Sequence, residues 1–500
     1  MNSKEFSISK MIQRASNDSE NFVSGYCLDG EWRKFTFKEI FDIAVNKIKE
    51  LNLLAGLERS VVILDADNSL DWLVWDLASI IAEIPIVAVG SNMDVQKVVD
   101  DVKKNITEFL ILVSQNKKNI SETEQISAKI EWSKEAILSI ENCSWRPDRN
   151  DDAYSYVYSS GSTGFPKGLI VSRLGLELLV DRFINDFEIN KNDSTVIFLP
   201  LSNFQQRAIF YGGLYAGCDV AISNNHHVFH DIKRYRPSFL IAPPVFYETI
   251  KRLGNKSDSL SEVLGGNIRF LITGMAPIKY STLEEFQKSG LNLFEVYGMT
   301  EAGMICWNTP FSNEIGTVGK EVVPGAVKIN KNGEILVKST GSLCKGYFNL
   351  PNDEEMFSKE KYIKTGDIGR FDSNERLVLF GRKKNILISS TGEKKCAEEI
   401  EKVICKECDL EIAFIVSGKL KEYCLYYVSE KNNQKIDKNK KIQKIINKII
   451  PGLNVCHIVE GDTAPSYESG TLLPNMKPDR GAIYQNFIIG SESVKERMYD

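Results

Sequence analysis

From about residue 60 to residue 300, short runs rich in Val, Ile, Leu and Phe alternate with stretches whose apolar residues recur every three or four positions. Short apolar runs bounded by turn residues read as strands buried on both faces, and the longer period reads as helices laid over them. The runs at 194–199, 239–242, 268–273 and 291–296 are predicted strands, with a helix over 277–289 between the last two. That rhythm predicts an α/β fold of helix-covered sheets. Between 315 and 380 the runs shorten and Gly and Asp turns interrupt them, as at Gly333-Glu334-Ile335-Leu336-Val337 and Arg376-Leu377-Val378-Leu379-Phe380, which predicts a β-rich subdomain. After Gly381-Arg382-Lys383-Lys384 the pattern changes again, to a helix (397–404), two strands (410–416 and 423–428), a Lys-rich helix and a strand near Val455. This is a small, compact α+β unit, and the boundary is placed at Lys383 or Lys384, giving domains over 1–383 and 384–500.

Composition narrows the function classes. At 500 residues the chain exceeds one small core, and 43% apolar with 26% charged residues is the balance of a water-soluble globular protein. A net charge of −5 provides no general attraction to nucleic acid or anionic membrane, so neither is expected as a partner. The most apolar stretch, 77–89, carries Glu83 and Pro85 and is too short to span a bilayer, and the N-terminus lacks the apolar core of a signal peptide. No integral membrane segment and a cytoplasmic location are expected. Ten scattered cysteines show no disulfide framework. Cys405-Lys406-Glu407-Cys408, with Cys424, Cys456 and His457 downstream, lacks the second close ligand pair of a structural zinc site, and buried thiols are the better reading. His226, His227 and His230 read as a polar loop.

The chemistry concentrates in Tyr158-Ser159-Ser160-Gly161-Ser162-Thr163-Gly164-Phe165-Pro166-Lys167-Gly168. Glycines let the backbone approach an anion, Ser159, Ser160, Ser162 and Thr163 add donors, and Lys167 adds a mobile positive charge. A β-prone segment (153–158) precedes it, and 173–187 places Leu174, Leu178, Leu179, Phe183 and Phe187 at helical spacing, so strand, loop and helix are expected in succession. No Gly-Lys-Ser/Thr closes the loop, so it is not a Walker A sequence. Taken alone, a Gly/Ser-rich stretch is more often a surface loop.

Further along, Tyr297-Gly298-Met299-Thr300-Glu301 ends a predicted strand. Its aromatic can stack on a purine, Thr300 can donate to a phosphate, and Glu301 can hold the divalent ion that neutralises a triphosphate. Thr365-Gly366-Asp367 supplies a carboxylate able to accept both hydroxyls of a ribose. A lysine such as Lys477, in Leu473-Pro474-Asn475-Met476-Lys477-Pro478-Asp479-Arg480, could stabilise charge as pyrophosphate departs, although an isolated lysine is far more often solvated. In order, these segments resemble the signature motifs of the adenylate-forming superfamily, which comprises acyl-CoA synthetases, adenylation domains and luciferases, over residues 30 to 485.

The resemblance implies a carboxylic acid activated with Mg-ATP as acyl-AMP, then transferred to a thiol after the small domain rotates. It implies further roles: Ser159, Ser160, Gly161, Ser162, Thr163, Gly164, Lys167, Tyr297, Gly298, Thr300, Asp367 and Arg382 bind ATP. Thr300 and Glu301 act with the catalytic Lys477, and Glu301 holds Mg2+. Thr273-Gly274-Met275-Ala276-Pro277 matches the turn beside adenine and the acyl pocket, so Gly274 and Met275 line it. Lys384 is the hinge, and the loop around Gly392 faces the thiol.

Leu199-Pro200-Leu201-Ser202-Asn203-Phe204-Gln205-Gln206-Arg207 resembles the fatty acyl-CoA synthetase branch, which puts Asn203 and Phe204 in the acyl pocket and implies a medium- or long-chain fatty acid. Asn203 stands where that branch usually has histidine, and Gln206 where glutamate is common. Between Gly346-Tyr347-Phe348 and Thr365-Gly366-Asp367 there is no room for the insertion typical of ligases that load carrier proteins. This favours coenzyme A as acceptor, with the phosphopantetheine of an acyl carrier protein as the alternative. The Lys-rich run 431–448 reads as a solvated helix face. A third possibility is a nucleotide-binding partner protein without catalysis, against which Lys167, Glu301, Asp367 and Lys477 together speak.

Overall fold

The alternating runs form two large mixed sheets. In the first, Phe22–Tyr26, Asp219–Ile222, Ser194–Ile197, Phe239–Ala242, Phe270–Thr273 and Leu293–Met299 lie side by side and parallel. Trp32–Thr36 closes one edge antiparallel, and Gly303–Trp307 with Lys320–Glu321 closes the other. In the second, Ala153–Ser159, Ile86–Ala88, Val61–Asp65, Leu110–Ser114 and Glu124–Ser127 are parallel, and Lys167–Ser172 and Cys344–Tyr347 extend the sheet antiparallel beyond Ala153–Ser159. The central strands Val61–Asp65, Phe239–Ala242 and Phe270–Thr273 are buried along nearly their whole length, which is why they read as almost unbroken apolar runs.

The computed structural model describes residues 6–54, 60–90, 93–107, 109–116, 124–130, 132, 153–159, 167–254, 259–339, 343–350, 362–417, 422–429, 438–466, 469–471 and 478–489. The chain divides into two units, one of Met1–Gly161, Phe165–Val327 and Val337–Ile363, the other of Ser162–Gly164, Lys328–Leu336 and Lys364–Asp500.

In the first unit the helix Leu70–Ile81 is buried along its whole length, Asp71 and Asp76 included, with Ser69 accepting from the Trp72 N–H at its start. Buried carboxylates need partners. Asp71 accepts from the backbone N–H groups of Ile130 at 2.7 Å and Leu28 at 2.9 Å. Asp76 meets Arg207, on the helix Phe204–Ala216, at 2.6 Å, with both side chains wholly removed from solvent. The same guanidinium donates to the hydroxyls of Tyr154 at 2.6 Å, Ser155 at 2.9 Å and Tyr211 at 3.3 Å, and the Tyr211 hydroxyl donates to Asp76.

The second unit packs the strands Leu410–Ser417, Tyr423–Ser429 and Val455–Gly461 under the helices Ala397–Cys408 and Lys438–Ile449, around Ile400, Ile404, Ile415, Leu425, Ile442 and Ile446. Ile442 and Ile446 turn inward, and Lys440, Lys441, Lys444 and Lys448 stay exposed, so the described part of the Lys-rich run is a solvated face. Among the described residues no helix is long and apolar enough to cross a membrane.

Two expectations shift. The helix expected over 173–187 forms at Arg173–Asp186, but Leu174 is 59% exposed, and Leu176 and Val180 join Leu179 and Phe183 on the buried face. The helix expected from 277 begins at Tyr280.

Candidate active site

The glycine loop connects two antiparallel strands, not a strand and a helix. Ser159 pairs with Lys167, Tyr158 with Gly168 and Val157 with Leu169. The succession of strand, loop and helix is corrected because Gly168-Leu169-Ile170-Val171 is itself β-prone and finds a partner on each side, Ala153–Ser159 and Cys344–Tyr347. The helix starts only after Ser172, whose hydroxyl accepts from the Gly175 N–H at 2.9 Å. Ser160, Gly161, Ser162, Thr163 and Gly164 lie outside the described residues, and Ser159 is described by its backbone alone.

Lys167 stands at the end of this hairpin, with Nζ 5.3 Å from the ring centroid of Tyr347. The Tyr347 hydroxyl donates to Glu301 Oε1 at 3.1 Å. A lysine, an aromatic ring and a carboxylate thus form one line. Tyr347 is the residue that sequence reasoning left without a role, although Gly346-Tyr347-Phe348 served as a landmark. The signal for it was a hydroxylated aromatic ending the short edge strand Cys344–Tyr347. Next to it, the Phe348 ring lies on Gly168 so closely that a Cβ there would come within 2.2 Å of the ring, and the Gly168 N–H donates to Asn349 Oδ1 at 2.8 Å. Asn349 and Tyr158 both donate to Asp101, at 3.0 and 2.8 Å, tying the base of the hairpin to the helix Val95–Asn105.

Glu301 follows the strand Leu293–Met299, whose antiparallel register with Gly303–Trp307 shifts between Tyr297 and Gly298. A Cβ at Gly298 would meet the Gly303 carbonyl oxygen at 2.6 Å, so the turn requires glycine. Cys344 holds the turn from the other side: its Sγ donates to the Thr300 carbonyl at 3.2 Å and its N–H to the Glu301 carbonyl at 3.2 Å. Burial, and secondarily the Glu301 carboxylate, push the Cys344 thiol well above its usual range. The Tyr297 ring is largely buried.

Gly274 packs against this strand, where a Cβ would sit 2.9 Å from Val296 Cγ2. Met275 adopts φ +71°, a left-handed conformation that a side chain disfavours, and is 48% exposed. Backbone strain of this kind costs about 1–3 kcal/mol and gathers at ligand-binding turns. Just before it, the Thr273 hydroxyl is buried with no hydrogen-bond partner among the described residues. Asn203 Oδ1 accepts from the Gln205 N–H at 3.2 Å and caps the helix Phe204–Ala216. Phe204 is fully buried, edge-on to Tyr154 at 6.1 Å, with the Arg207 guanidinium 5.8 Å from its ring.

In the second unit Asp367 and Arg382 face each other across the antiparallel strands Tyr362–Phe371 and Leu377–Arg382. Arg382 Nε donates to Asp367 Oδ1 at 3.0 Å and Nη1 to the Thr365 carbonyl at 3.0 Å. Lys383 pairs with Glu334 at 2.9 Å, and Lys384 is exposed in the short turn Lys383–Asn385. Gly392, at φ +83°, turns the chain between Ile386–Ile388 and Lys394–Cys396. Lys477 lies outside the described residues. Arg480, three residues on, is held at 2.6 Å by Glu401 and at 3.3 Å by Glu398, and Glu398 also accepts from the Asn385 side chain.

A family model described as AMP-binding enzyme matches residues 12–348. The long-chain-fatty-acid–CoA ligase FadD15 of Mycobacterium bovis is 23% identical over 470 residues, covering 78% of this chain and 76% of that protein. The 2-succinylbenzoate–CoA ligase of Bacillus licheniformis is 28% identical over 267 residues, covering 51% and 54%. The o-succinylbenzoate CoA synthetase MenE of Bacillus subtilis, solved with its acyl-adenylate intermediate, superposes with a TM-score of 0.75 at 20% identity, over 94% of this chain and 97% of that one, and so shares its fold.

Proposed function

Because the chain belongs to the AMP-binding enzyme family, we propose that it activates a medium- or long-chain fatty acid with ATP and passes the acyl group to coenzyme A. Its class is that of an AMP-forming acid–CoA ligase, as its named relatives support. The line from Lys167 through Tyr347 to Glu301 carries the reading to residues, since it joins a cation and a carboxylate through one tyrosine.

In the first step the substrate carboxylate attacks the α-phosphorus of ATP and pyrophosphate leaves. In the second, the thiol attacks the acyl carbon and AMP leaves. Lys167 and Lys477 are assigned to the charge that gathers on the phosphate oxygens, the Thr300 hydroxyl donates to a phosphate, and the glycine loop supplies its N–H groups. Tyr297 and the Gly274–Met275 turn are assigned to adenine and the acyl pocket, and Asp367 and Arg382 to the ribose and nucleotide. Among the described residues no group of three or more His, Cys, Asp or Glu forms a metal cage. One carboxylate at Glu301 with a neighbouring hydroxyl fits Mg2+ held chiefly by nucleotide phosphates, where it would neutralise their charge.

The second step is assigned to a rotation of 384–500 about Lys384, which brings the Gly392 loop to the thiol. The acceptor in the rival reading is the phosphopantetheine of an acyl carrier protein, and the exposed lysines of Lys438–Ile449 are the surface an acidic carrier would meet. The cytoplasm is the proposed location. Carboxylate-dependent ATP–pyrophosphate exchange over a panel of acids tests the activity, and thioester yield with coenzyme A against acyl carrier protein tests the acceptor. No exchange with any acid would leave a nucleotide-binding protein without catalysis.

Glu301→Gln keeps the Tyr347 hydrogen bond and removes the charge. Exchange is expected to fall on the order of a hundred-fold with every accepted acid; a change only in which acid is preferred would sink the phosphate-side assignment. Lys384→Pro fixes φ near −65° and is expected to leave adenylate formation within about twofold while slowing thioester formation at least tenfold, followed as the two half-reactions separately. Because Phe204 is buried, its removal to Ala would cost about 3–5 kcal/mol of stability. Phe204→Leu is therefore the informative change, and it is expected to reorder rates across chain lengths with the KM for ATP unaltered. An unchanged ranking would take Phe204 out of the pocket.

A further inference from the structure

The cysteines that the sequence grouped around Cys405 and Cys408 sort differently in space. Cys405 and Cys408 belong to one helix, and Cys408 joins the core around Ile404 and Ile442. Cys424 and Cys456, far apart in sequence, come together on the adjacent parallel strands Tyr423–Ser429 and Val455–Gly461. Tyr423 pairs with Val455 and Cys424 with His457, so Cys456 is an extra residue bulged out of the ladder. The bulge turns its Sγ to within 3.3 Å of Cys424 Sγ and 3.3 Å of the Tyr423 carbonyl.

The two thiols differ in access. Cys424 is 2% exposed, among Val416, Tyr426, Val428 and Ile483, while Cys456 is half-buried at the margin of the same cluster. Burial and the Cys456 sulfur hold the Cys424 thiol up at about 12. Cys424 therefore does not attack a solvent-borne oxidant, and Cys456 is the thiol that one reaches.

We infer that Cys456 and Cys424 form a reversible disulfide on exposure to a hydroperoxide, with Cys456 as the attacked thiol and Cys424 as the resolving one. The Cys456 sulfur attacks the O–O bond, losing two electrons; the alcohol or water derived from the peroxide leaves, and Cys456 becomes a sulfenic acid. The Cys424 sulfur then attacks the Cys456 sulfur, and the departing hydroxide takes the Cys424 proton and leaves as water. Overall, two thiols and one hydroperoxide give one disulfide, one alcohol (water, for hydrogen peroxide) and one water.

Hydrogen peroxide is the probe, added to the full chain in graded amounts before alkylation and non-reducing proteolysis. Two fewer of the ten thiols are expected to titrate, a linked peptide pair carrying Cys424 and Cys456 should appear by mass spectrometry, and dithiothreitol should restore both thiols. Cys456→Ser should abolish the loss of both, and Cys424→Ser should leave a sulfenic acid on Cys456 that dimedone traps. Should Cys424→Ser fail to fold, the half-exposed Cys456→Ser and the wild-type peptide map decide alone. Over-oxidation of Cys456 without linkage, linkage between other cysteines, or two thiols that never react would each overturn the inference. The readout is independent of ligase activity, so it stands apart from the proposed function.

Discussion

Lys477→Ala is expected to lower carboxylate-dependent ATP–pyrophosphate exchange by on the order of a hundred-fold or more, the usual loss when one preorganised electrostatic partner of a transition state is removed. Its ammonium is assigned to the oxygens that gain charge as pyrophosphate departs, a demand present only in the first half-reaction. Transfer from supplied acyl-AMP to the thiol is therefore expected to stay within about threefold of wild type, and ATP binding should persist. Measuring both half-reactions in one preparation separates this outcome from general damage. Normal adenylation by the variant would remove Lys477 from the mechanism, and equal loss of both steps would assign it to nucleotide binding instead.

Arg207→Met is expected to destabilise the first unit by about 3–5 kcal/mol, because it strands the Asp76 carboxylate in a wholly buried site. Tyr154, Ser155 and Tyr211 lose their common donor at the same time. Burial already pushes the Asp76 carboxyl above its usual range, and Arg207 is the main opposing influence. Without Arg207 the folded-state value rises further. The folded variant then holds a proton that the unfolded chain gives up above about pH 4, so its stability is greatest below that value and falls as pH rises. Urea denaturation at pH 4.5 and pH 7.5 should show the larger deficit at pH 7.5. The double change Arg207→Met with Asp76→Leu, which removes both charges, should recover much of the loss. A deficit independent of pH would mean that lost packing, not a stranded charge, is responsible.

Local periodicity made much of this fold legible. The run at 239–242 is the strand Phe239–Ala242, and the helices at 173 and 397 begin where their patterns begin. Pairing was less legible. Lys167–Ser172 pairs with the neighbouring strand Ala153–Ser159 on one side and the distant Cys344–Tyr347 on the other, and a six-residue run next to a helical pattern does not announce that. The Arg207 network joins side chains 52, 53 and 131 residues apart in sequence, and nothing within the helix Phe204–Ala216 marks an inward-facing arginine. In the candidate site, ordered motifs disclosed the family. Tyr347 was not legible as a partner of Glu301, because its meaning depends on an edge strand that meets the Thr300–Glu301 turn from the far side of the sequence.

Glu398 joins two places that the chain visits far apart. It receives the Asn385 side chain, one residue beyond Lys384, and the guanidinium of Arg480, three residues beyond Lys477. If the backbone pivots at Lys384, the turn enters at Asn385 and meets at Glu398 the helix Ala397–Cys408, whose Glu401 also grips Arg480. The small domain would then work as a crank whose handle and shaft are pinned together. Loosening that pin would introduce play at Asn385, while Glu401 kept Arg480 on its helix.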